Sequence, residues 1–204
     1  MSIQVRKATF SDIPAIIDTY FDAFHNHPVT RRIFSPRSEQ VEKYWQESID
    51  ADLRDSSTHF VLVTDSASAD PERVLAFGKW RDLHTSISPP SLPMPDWPKG
   101  ADIAFVDEFF GTVDKKHKEI MKDRPHWYLD ILGVRREYQG KGAGSRLVQW
   151  GLAKTDEAGV EAFLAASPAG APMYAKYGFE IVETIPVDEG TRLESFMLRP
   201  AKKP

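Results

Sequence analysis

The sequence predicts an α/β (α+β) fold, with a central mixed sheet of about seven strands flanked by helices. Three observations predict it. Short runs rich in β-branched and aromatic residues recur along the chain, segments with apolar residues at helical spacing lie between them, and a strand, a glycine-rich segment and a helix follow one another from Trp127 to Ala158. A chain of 204 residues suffices for one hydrophobic core and is short for two ordinary domains, so 1–204 is expected to form a single domain.

Ile3-Gln4-Val5-Arg6 alternates as a half-buried strand, and Ser11 or Asp12 is placed to cap a helix carrying Ile13, Ile16, Ile17, Tyr20, Phe21 and Phe24 on its apolar face. His25-Asn26-His27-Pro28 reads as a loop. Glu39 to Leu53 presents Val41, Tyr44, Trp45, Ile49 and Leu53 along one helical stripe. Phe60–Val63 and Val74–Trp80 read as a hairpin around the polar turn Asp65 to Pro71. Ser86 to Lys99 holds five prolines, each removing a backbone donor, and reads as a surface loop. Ile103 to Met121 is an amphipathic helix, expected over the sheet, either as a pocket wall or as plain packing. Trp127–Val134 is a strand and Ser145–Ala158 a helix that Gly159 stops. Val160–Ala166 is another strand, and Pro172–Tyr177 is a short helix ended by Gly178. Phe179–Val187 and Arg192–Leu198 close the chain as a hairpin.

Composition removes several functional classes. Apolar residues are 41% and charged residues 27%, the balance of a soluble globular protein. No run of about 18 apolar residues occurs, and the opening residues form no positive-then-apolar leader, so a cytoplasmic protein with no membrane partner is expected. The absence of cysteine excludes disulfides, a thiolate nucleophile and a Cys-based zinc site. With 26 basic and 30 acidic residues the net charge is −4, which leaves no global nucleic-acid footprint. Arg135, Arg136, Lys141 and Arg146 still cluster within twelve residues, as phosphate ligands or as a solvated basic loop. His25, His27 and His126 lack metal-ligand spacing and read as exposed loop histidines, so no metal is assigned.

Gln139-Gly140-Lys141-Gly142-Ala143-Gly144 lies between a strand and a helix start, where free amides and the helix dipole favour an anion. Glycine suits such a turn because it tolerates unusual dihedrals and lets backbone approach phosphate oxygens. The spacing of a nucleoside-triphosphate loop is missing. A dinucleotide fingerprint fails as well, since Ser145 stands where its third glycine is needed. Gln139, Gly142 and Gly144 do satisfy Gln-x-x-Gly-x-Gly, after a strand ending Leu132-Gly133-Val134. About thirty residues on comes Met173-Tyr174-Ala175-Lys176-Tyr177-Gly178-Phe179. Together these two motifs resemble the signatures of the GNAT N-acetyltransferases. The run from His126-Trp127 to Gly178-Phe179 is particularly similar to the puromycin N-acetyltransferase branch and its fungal and bacterial relatives. The match is close from Trp127 to Leu198 and loose before it, where an acceptor pocket would be shaped.

The resemblance implies the GNAT fold, a mostly antiparallel sheet splayed beside the strand that ends at Val134, and acetyl-CoA as cofactor, leaving as coenzyme A. It implies that Leu132, Gly133 and Val134 offer backbone groups to pantetheine. The pyrophosphate is expected on the amides of Gln139, Gly140, Lys141, Gly142, Ala143 and Gly144, reaching Ser145, with charge from Lys141 or Arg146. Tyr174 matches the family tyrosine that protonates the leaving thiolate; the alternative is a ring under the cofactor whose hydroxyl only binds sulfur. Ser167 stands where many relatives carry an asparagine that touches the cofactor. Tyr128 and Asp130 share strand parity ahead of Leu132, and Asp130 is the candidate to take a proton through water or to attract a cationic amine, with a structural ion pair as the alternative. An alkylamine with a pKa of ~10.4 is neutral in only about one molecule in two to three thousand at pH 7, so such help matters. Asp22, Phe24, His25, Trp80 and Tyr128 are the candidates to line the acceptor side.

The function expected is acetyl transfer from acetyl-CoA to the primary amine of a small molecule, by direct attack in a ternary complex. A protein or peptide acetyltransferase and a non-catalytic acyl-CoA-binding regulator are the alternatives. The sequence is compatible with a monomer or a homodimer and does not name the acceptor.

Overall fold

The alternating and helical patterns resolve into seven strands and six helices in the computed structural model, which describes residues 2–84 and 96–202. In chain order these are β1 (Ile3–Lys7), α1 (Ile13–Ala23), α2 (Pro28–Ile33), α3 (Glu39–Arg54), β2 (Thr58–Asp65), β3 (Ala76–Asp82) and α4 (Ile103–Met121). Then follow β4 (His126–Val134), α5 (Ala143–Ala158), β5 (Glu161–Ala166), α6 (Ala171–Ala175), β6 (Glu180–Val187) and β7 (Arg192–Arg199). Most of the expected proline loop lies outside the described residues. At its described end Trp97 stacks on Tyr44, ring centres 5.1 Å apart.

Strand neighbours run β1-β2-β3-β4-β5-β7-β6. β1–β2, β5–β7 and β6–β7 are antiparallel, while β4–β5 is parallel. The β4–β5 register runs from His126↔Glu161 to Leu129↔Leu164, so Asp130 to Val134 continue β4 past the last registered pair. β6, last in the order, has a register shift between Ile181 and Glu183 and carries Pro186.

The chain divides into two compact units, and it passes between them within β3, β4 and α5. The first contains Met1–Trp80, Pro90–Ala101 and Ile131–Leu147. Its core is aromatic. Tyr20 meets Phe21, Phe24, Phe34 and Trp45 at ring distances between 4.1 and 5.9 Å, and its hydroxyl lies 3.0 Å from Thr30 Oγ1. Asp12 takes the N-cap position of α1, but its carboxylate turns back to accept from the Thr9 backbone N–H and from both terminal nitrogens of Arg6. The Arg6 hydrogen bonds, opposed by burial, hold the Asp12 carboxyl down at about 2. α2 starts on Pro28, the last residue of the stretch read as a loop, and runs on through residues given no element. Six residues are too few for a periodic signal, yet Pro28 at the first helical position presets the backbone while Val29, Thr30 and Ile33 are buried. Gly133 is where this core tolerates no side chain, since a β-carbon there would sit 2.6 Å from Phe77 Cε1 and 3.1 Å from Phe24 Cε2.

The second unit contains Arg81–Pro89, Asp102–Asp130 and Val148–Pro204. α4 keeps the expected bounds, with the Asp102 carboxylate accepting from the Phe105 N–H at its start. Leu83, Met121, Tyr128, Phe163 and Phe196 form the core, flanked by half-buried Val113, Ile120 and Ile185. His126 corrects the expectation of an exposed loop histidine: it is the buried first residue of β4. Its Nδ1–H donates to Arg124 O at 2.7 Å, so its Nε2 accepts, and the buried His117 Nε2–H donates to it at 2.7 Å. His117 also stacks on Phe163, with centroids 4.8 Å apart.

Two consequences can be measured. Gly133→Ala should lower stability by about 1–3 kcal/mol through overpacking, read as a lower urea midpoint at unchanged slope; an unmoved midpoint would contradict the contact with Phe77. Burial, and then the neighbouring His126, push the His117 pKa down from 6.5 to about 4. Because the unfolded chain then binds the extra proton, stability from this group is complete above pH 6.5 and falls progressively as pH drops towards 4. His117→Gln, whose amide can still donate to His126, should flatten the fall in Tm across that window.

Candidate functional site

In the first unit the site is built on the passage from β4 into α5. The Arg135 N–H donates to Leu75 O at 2.9 Å and its Nε to Val74 O at 2.7 Å, which fixes the end of β4 against the residues leading into β3. Arg136 to Tyr138 then make one 3-10 turn. Arg136 donates its backbone N–H and its guanidinium to Asp22 of α1, while Glu137 accepts from Arg73 at 2.6 Å. The Gln139 side chain folds back and donates to Val134 O at 3.1 Å, a structural use for the glutamine of the motif.

Gly140 and Gly142 have φ of +72° and +87°, in the left-handed region, and a β-carbon on either would meet no heavy atom within 4 Å. Glycine is required at these positions for conformation, with open space beside it. α5 begins at Ala143, two residues before the expected start, and its first closing bond runs from the Arg146 N–H to Gly142 O. The amides of Ala143, Gly144 and Ser145 belong to the first helical turn, whose N–H groups find no acceptor within a helix. Anions are favoured there. The expectation changes at two residues: the Gln139 and Lys141 N–H groups donate to Arg136 O and Tyr138 O, each at 3.3 Å, so the turn itself employs them. The basic cluster divides likewise. Arg135 and Arg136 are held by Val74 O and Asp22, whereas Lys141 lies over the Tyr138 ring at 5.7 Å and Arg146 is exposed.

The acceptor-side candidates of this unit separate in the same way. Asp22 is committed to Arg136, and although burial works against its charge, the Arg136 hydrogen bonds lower its pKa overall. Phe24 is half-buried against Tyr20 and next to Gly133, and His25 is exposed. Trp80 is corrected to a core residue. Its ring has no exposed surface and its indole N–H donates to Leu147 O at 3.2 Å, so it offers nothing to an acceptor.

In the second unit, β5 ends at Ala166 and Ser167 makes the turn into α6. Ser167 O accepts from the N–H groups of Gly170 and Ala171 at 2.9 and 3.0 Å, and its Oγ accepts from Gly170 at 3.3 Å. The serine hydroxyl thus has a turn-forming role where a cofactor contact was expected. α6 carries Tyr174, 9% exposed, edge-on to Phe179 at 6.0 Å. Gly170 clears its ring, since a β-carbon there would stand 3.3 Å from Tyr174 Cε2. Burial, and then the charge of Glu194, push the Tyr174 pKa up, so the phenol keeps its proton at neutral pH. Asp130 is exposed at the end of this unit's share of β4, whereas Tyr128, two residues earlier, lies in the core cluster. Tyr128 therefore also leaves the set of acceptor contacts, and burial raises its pKa strongly.

Sequence reasoning missed two groups here. His117 was hidden on a helix read only for its apolar spacing. Glu194 is buried on β7 although Leu193 beside it is half exposed, the reverse of what hydrophobicity suggests. A charged residue two positions before Phe196, on the strand face shared with that core residue, was the available signal.

Comparison with known proteins bears on the family and the fold. The family model for the acetyltransferase (GNAT) family matches residues 25–179. A structure of histone acetyltransferase HPA2 and related acetyltransferase from Corynebacterium glutamicum aligns over 100% of this chain and 99% of its own, with a TM-score of 0.65 and 21% identity. The PaiA N-acetyltransferase of Thermoplasma acidophilum in complex with coenzyme A aligns over 98% of this chain and 99% of its own, at 0.57 and 15%. The C-terminal condensation domain of Ebony in complex with beta-alanyl-dopamine covers 98% and 100%, at 0.72 and 9%. At these identities the structural matches speak for the fold, while the family match spans well over half of the sequence, and the chain belongs to the GNAT acetyltransferase family.

Proposed function

We propose that this protein transfers the acetyl group of acetyl-CoA to the primary amine of a small molecule, by direct attack within a ternary complex. Membership of the family carries the coarser part, acyl-CoA-dependent acetyl transfer. The observation that carries the cofactor assignment is the left-handed Gly140/Gly142 turn delivering the chain into the first turn of α5. That backbone fits a diphosphate, with Gly142, Ala143, Gly144 and Ser145 as its cradle and the exposed Lys141 and Arg146 as counter-charges. Leu132, Gly133 and Val134 lie past the last registered β4–β5 pair, where backbone groups can receive pantetheine as an added strand does.

Acetyl-CoA supplies an acetyl thioester. For this chain's residues the work is to present a neutral amine and to protonate the departing sulfur. Tyr174, buried and protonated at rest, is assigned the second task. Asp130, exposed at the end of the registered β4 segment, is assigned the first, through water or by drawing the cationic amine. The reaction is placed in the cytoplasm, where acetyl-CoA is supplied. No helix among the described residues is long and apolar enough to cross a membrane.

Thiol release from acetyl-CoA, followed across aminonucleosides, polyamines, arylalkylamines and peptides, tests the acceptor class. Turnover restricted to small amines supports the proposal. A response to peptides alone points to a protein acetyltransferase, and tight acetyl-CoA binding without turnover on any acceptor points to a regulator. With chemistry limiting, Tyr174→Phe should lower kcat on the order of 10²-fold at unchanged acetyl-CoA affinity; full turnover would remove the acid assignment. Gly142→Val should weaken acetyl-CoA binding about tenfold or more by calorimetry, because a branched residue is strained at φ +87° and the following amides lose their aim.

A further inference from the structure

The second unit holds a buried carboxylate that the roles assigned above do not use. Glu194 on β7 is 6% exposed, and its Oε2 is buried without a hydrogen-bond partner. The guanidinium of Arg192 stands 3.7 Å from that oxygen, an ion-pair distance beyond hydrogen-bonding range. Strand parity puts Glu194 on the face of β7 that Phe196 contributes to the core with Tyr128 and Phe163. The last registered β5–β7 pair is Ala166↔Ser195, so Glu194 stands one residue beyond it, beside the point where β5 gives way to the Ser167 turn leading to Tyr174.

A buried carboxylate oxygen that accepts no hydrogen bond bears a desolvation cost that an ion pair at 3.7 Å offsets only in part. What it lacks is a donor. Its charge repels anions and gives a neutral hydroxyl little advantage, whereas an ammonium group brings both hydrogens and the opposite charge. The register thus brings Glu194 beside the turn that leads into α6 and the phenol assigned to the leaving sulfur, whose pKa its charge helps to raise. An amine nitrogen that is to react must come to that same neighbourhood.

We propose that Glu194 seats the ammonium group of the acceptor, so that the acceptor is a cationic primary amine held by a buried carboxylate. This deepens the acetyl-transfer reading and rests on it. Burial raises the Glu194 pKa and Arg192 draws it back; a bound ammonium adds to the pull of Arg192 and favours the charged carboxylate. Asp130 keeps the outer role of passing the proton to water.

Calorimetry on the full chain tests the seat apart from turnover. Coenzyme A is titrated alone, and then phenethylamine against 2-phenylethanol and butylamine against butanol, with and without saturating coenzyme A. In wild type the amine of at least one pair should bind about tenfold or more tighter than its alcohol. Glu194→Gln should abolish that preference and leave coenzyme A affinity and Tm unchanged, while Glu194→Asp, keeping the charge, should restore part of it. The proposal is overturned if Glu194→Gln retains the preference, if it lowers coenzyme A affinity and Tm together with amine affinity, or if wild type binds coenzyme A but prefers no amine. Failure of wild type to bind coenzyme A would instead remove the acetyl-transfer reading, and the amine–alcohol comparison without the cofactor would still decide on Glu194.

Discussion

The candidate site depends on one backbone constraint: β4 must become α5 through a left-handed turn at Gly140 and Gly142. Two glycines supply the left-handed dihedrals the turn needs, and neither is crowded by neighbours. Such a turn would be floppy if glycine were all that defined it. It is held instead by Arg135 on the strand lead-in, Arg136 on α1, Glu137 on Arg73 and Gln139 on the end of β4. Rigid partners around a permissive segment lower the entropy that any later ordering of it would cost.

The same economy governs the charged groups. Basic residues that look interchangeable in sequence divide between scaffolding and surface, because a guanidinium with fixed carboxylate or carbonyl partners is no longer available as a counter-ion. Asp22 illustrates the reciprocal case: a carboxylate placed near the candidate site spends its hydrogen-bonding capacity on Arg136. In the second unit the pattern inverts. Tyr174 and Glu194 are buried together with little to satisfy the acid, and the phenol is kept protonated by its surroundings. The first unit offers exposed basic side chains beside a glycine turn, and the second keeps a phenol and a carboxylate out of water.

How much of this was legible in the sequence varied with the physics involved. α4 emerged with its bounds intact because nineteen residues give helical spacing time to repeat, and every strand was found within a few residues. α2 was missed because six residues carry less than two turns of pattern. The glycine motif was readable since conformation at a single residue type decides it. Side-chain roles on the sheet were harder. Trp80 and Tyr128 fell at positions from which an acceptor could be imagined, yet burial claimed both, and burial is a property of neighbours far away in sequence. Glu194 was overlooked for the same reason, as was the pairing of His117 with His126, whose members come from different elements.

The final strand of the sheet order carries a consequence for how this protein coexists with copies of itself. An outermost strand shows a row of unpaired amides and carbonyls, and with Ile181 and Val182 exposed it would be an attractive template for another chain. The register shift at Ile181/Glu183 breaks its flatness, and Pro186 removes a donor further along. An intruding segment would find only a few continuous residues to zip onto, fewer than the six or seven that a cross-β nucleus needs. Straightening that irregularity, or replacing the proline, would lengthen the run of strand that β6 offers to another chain.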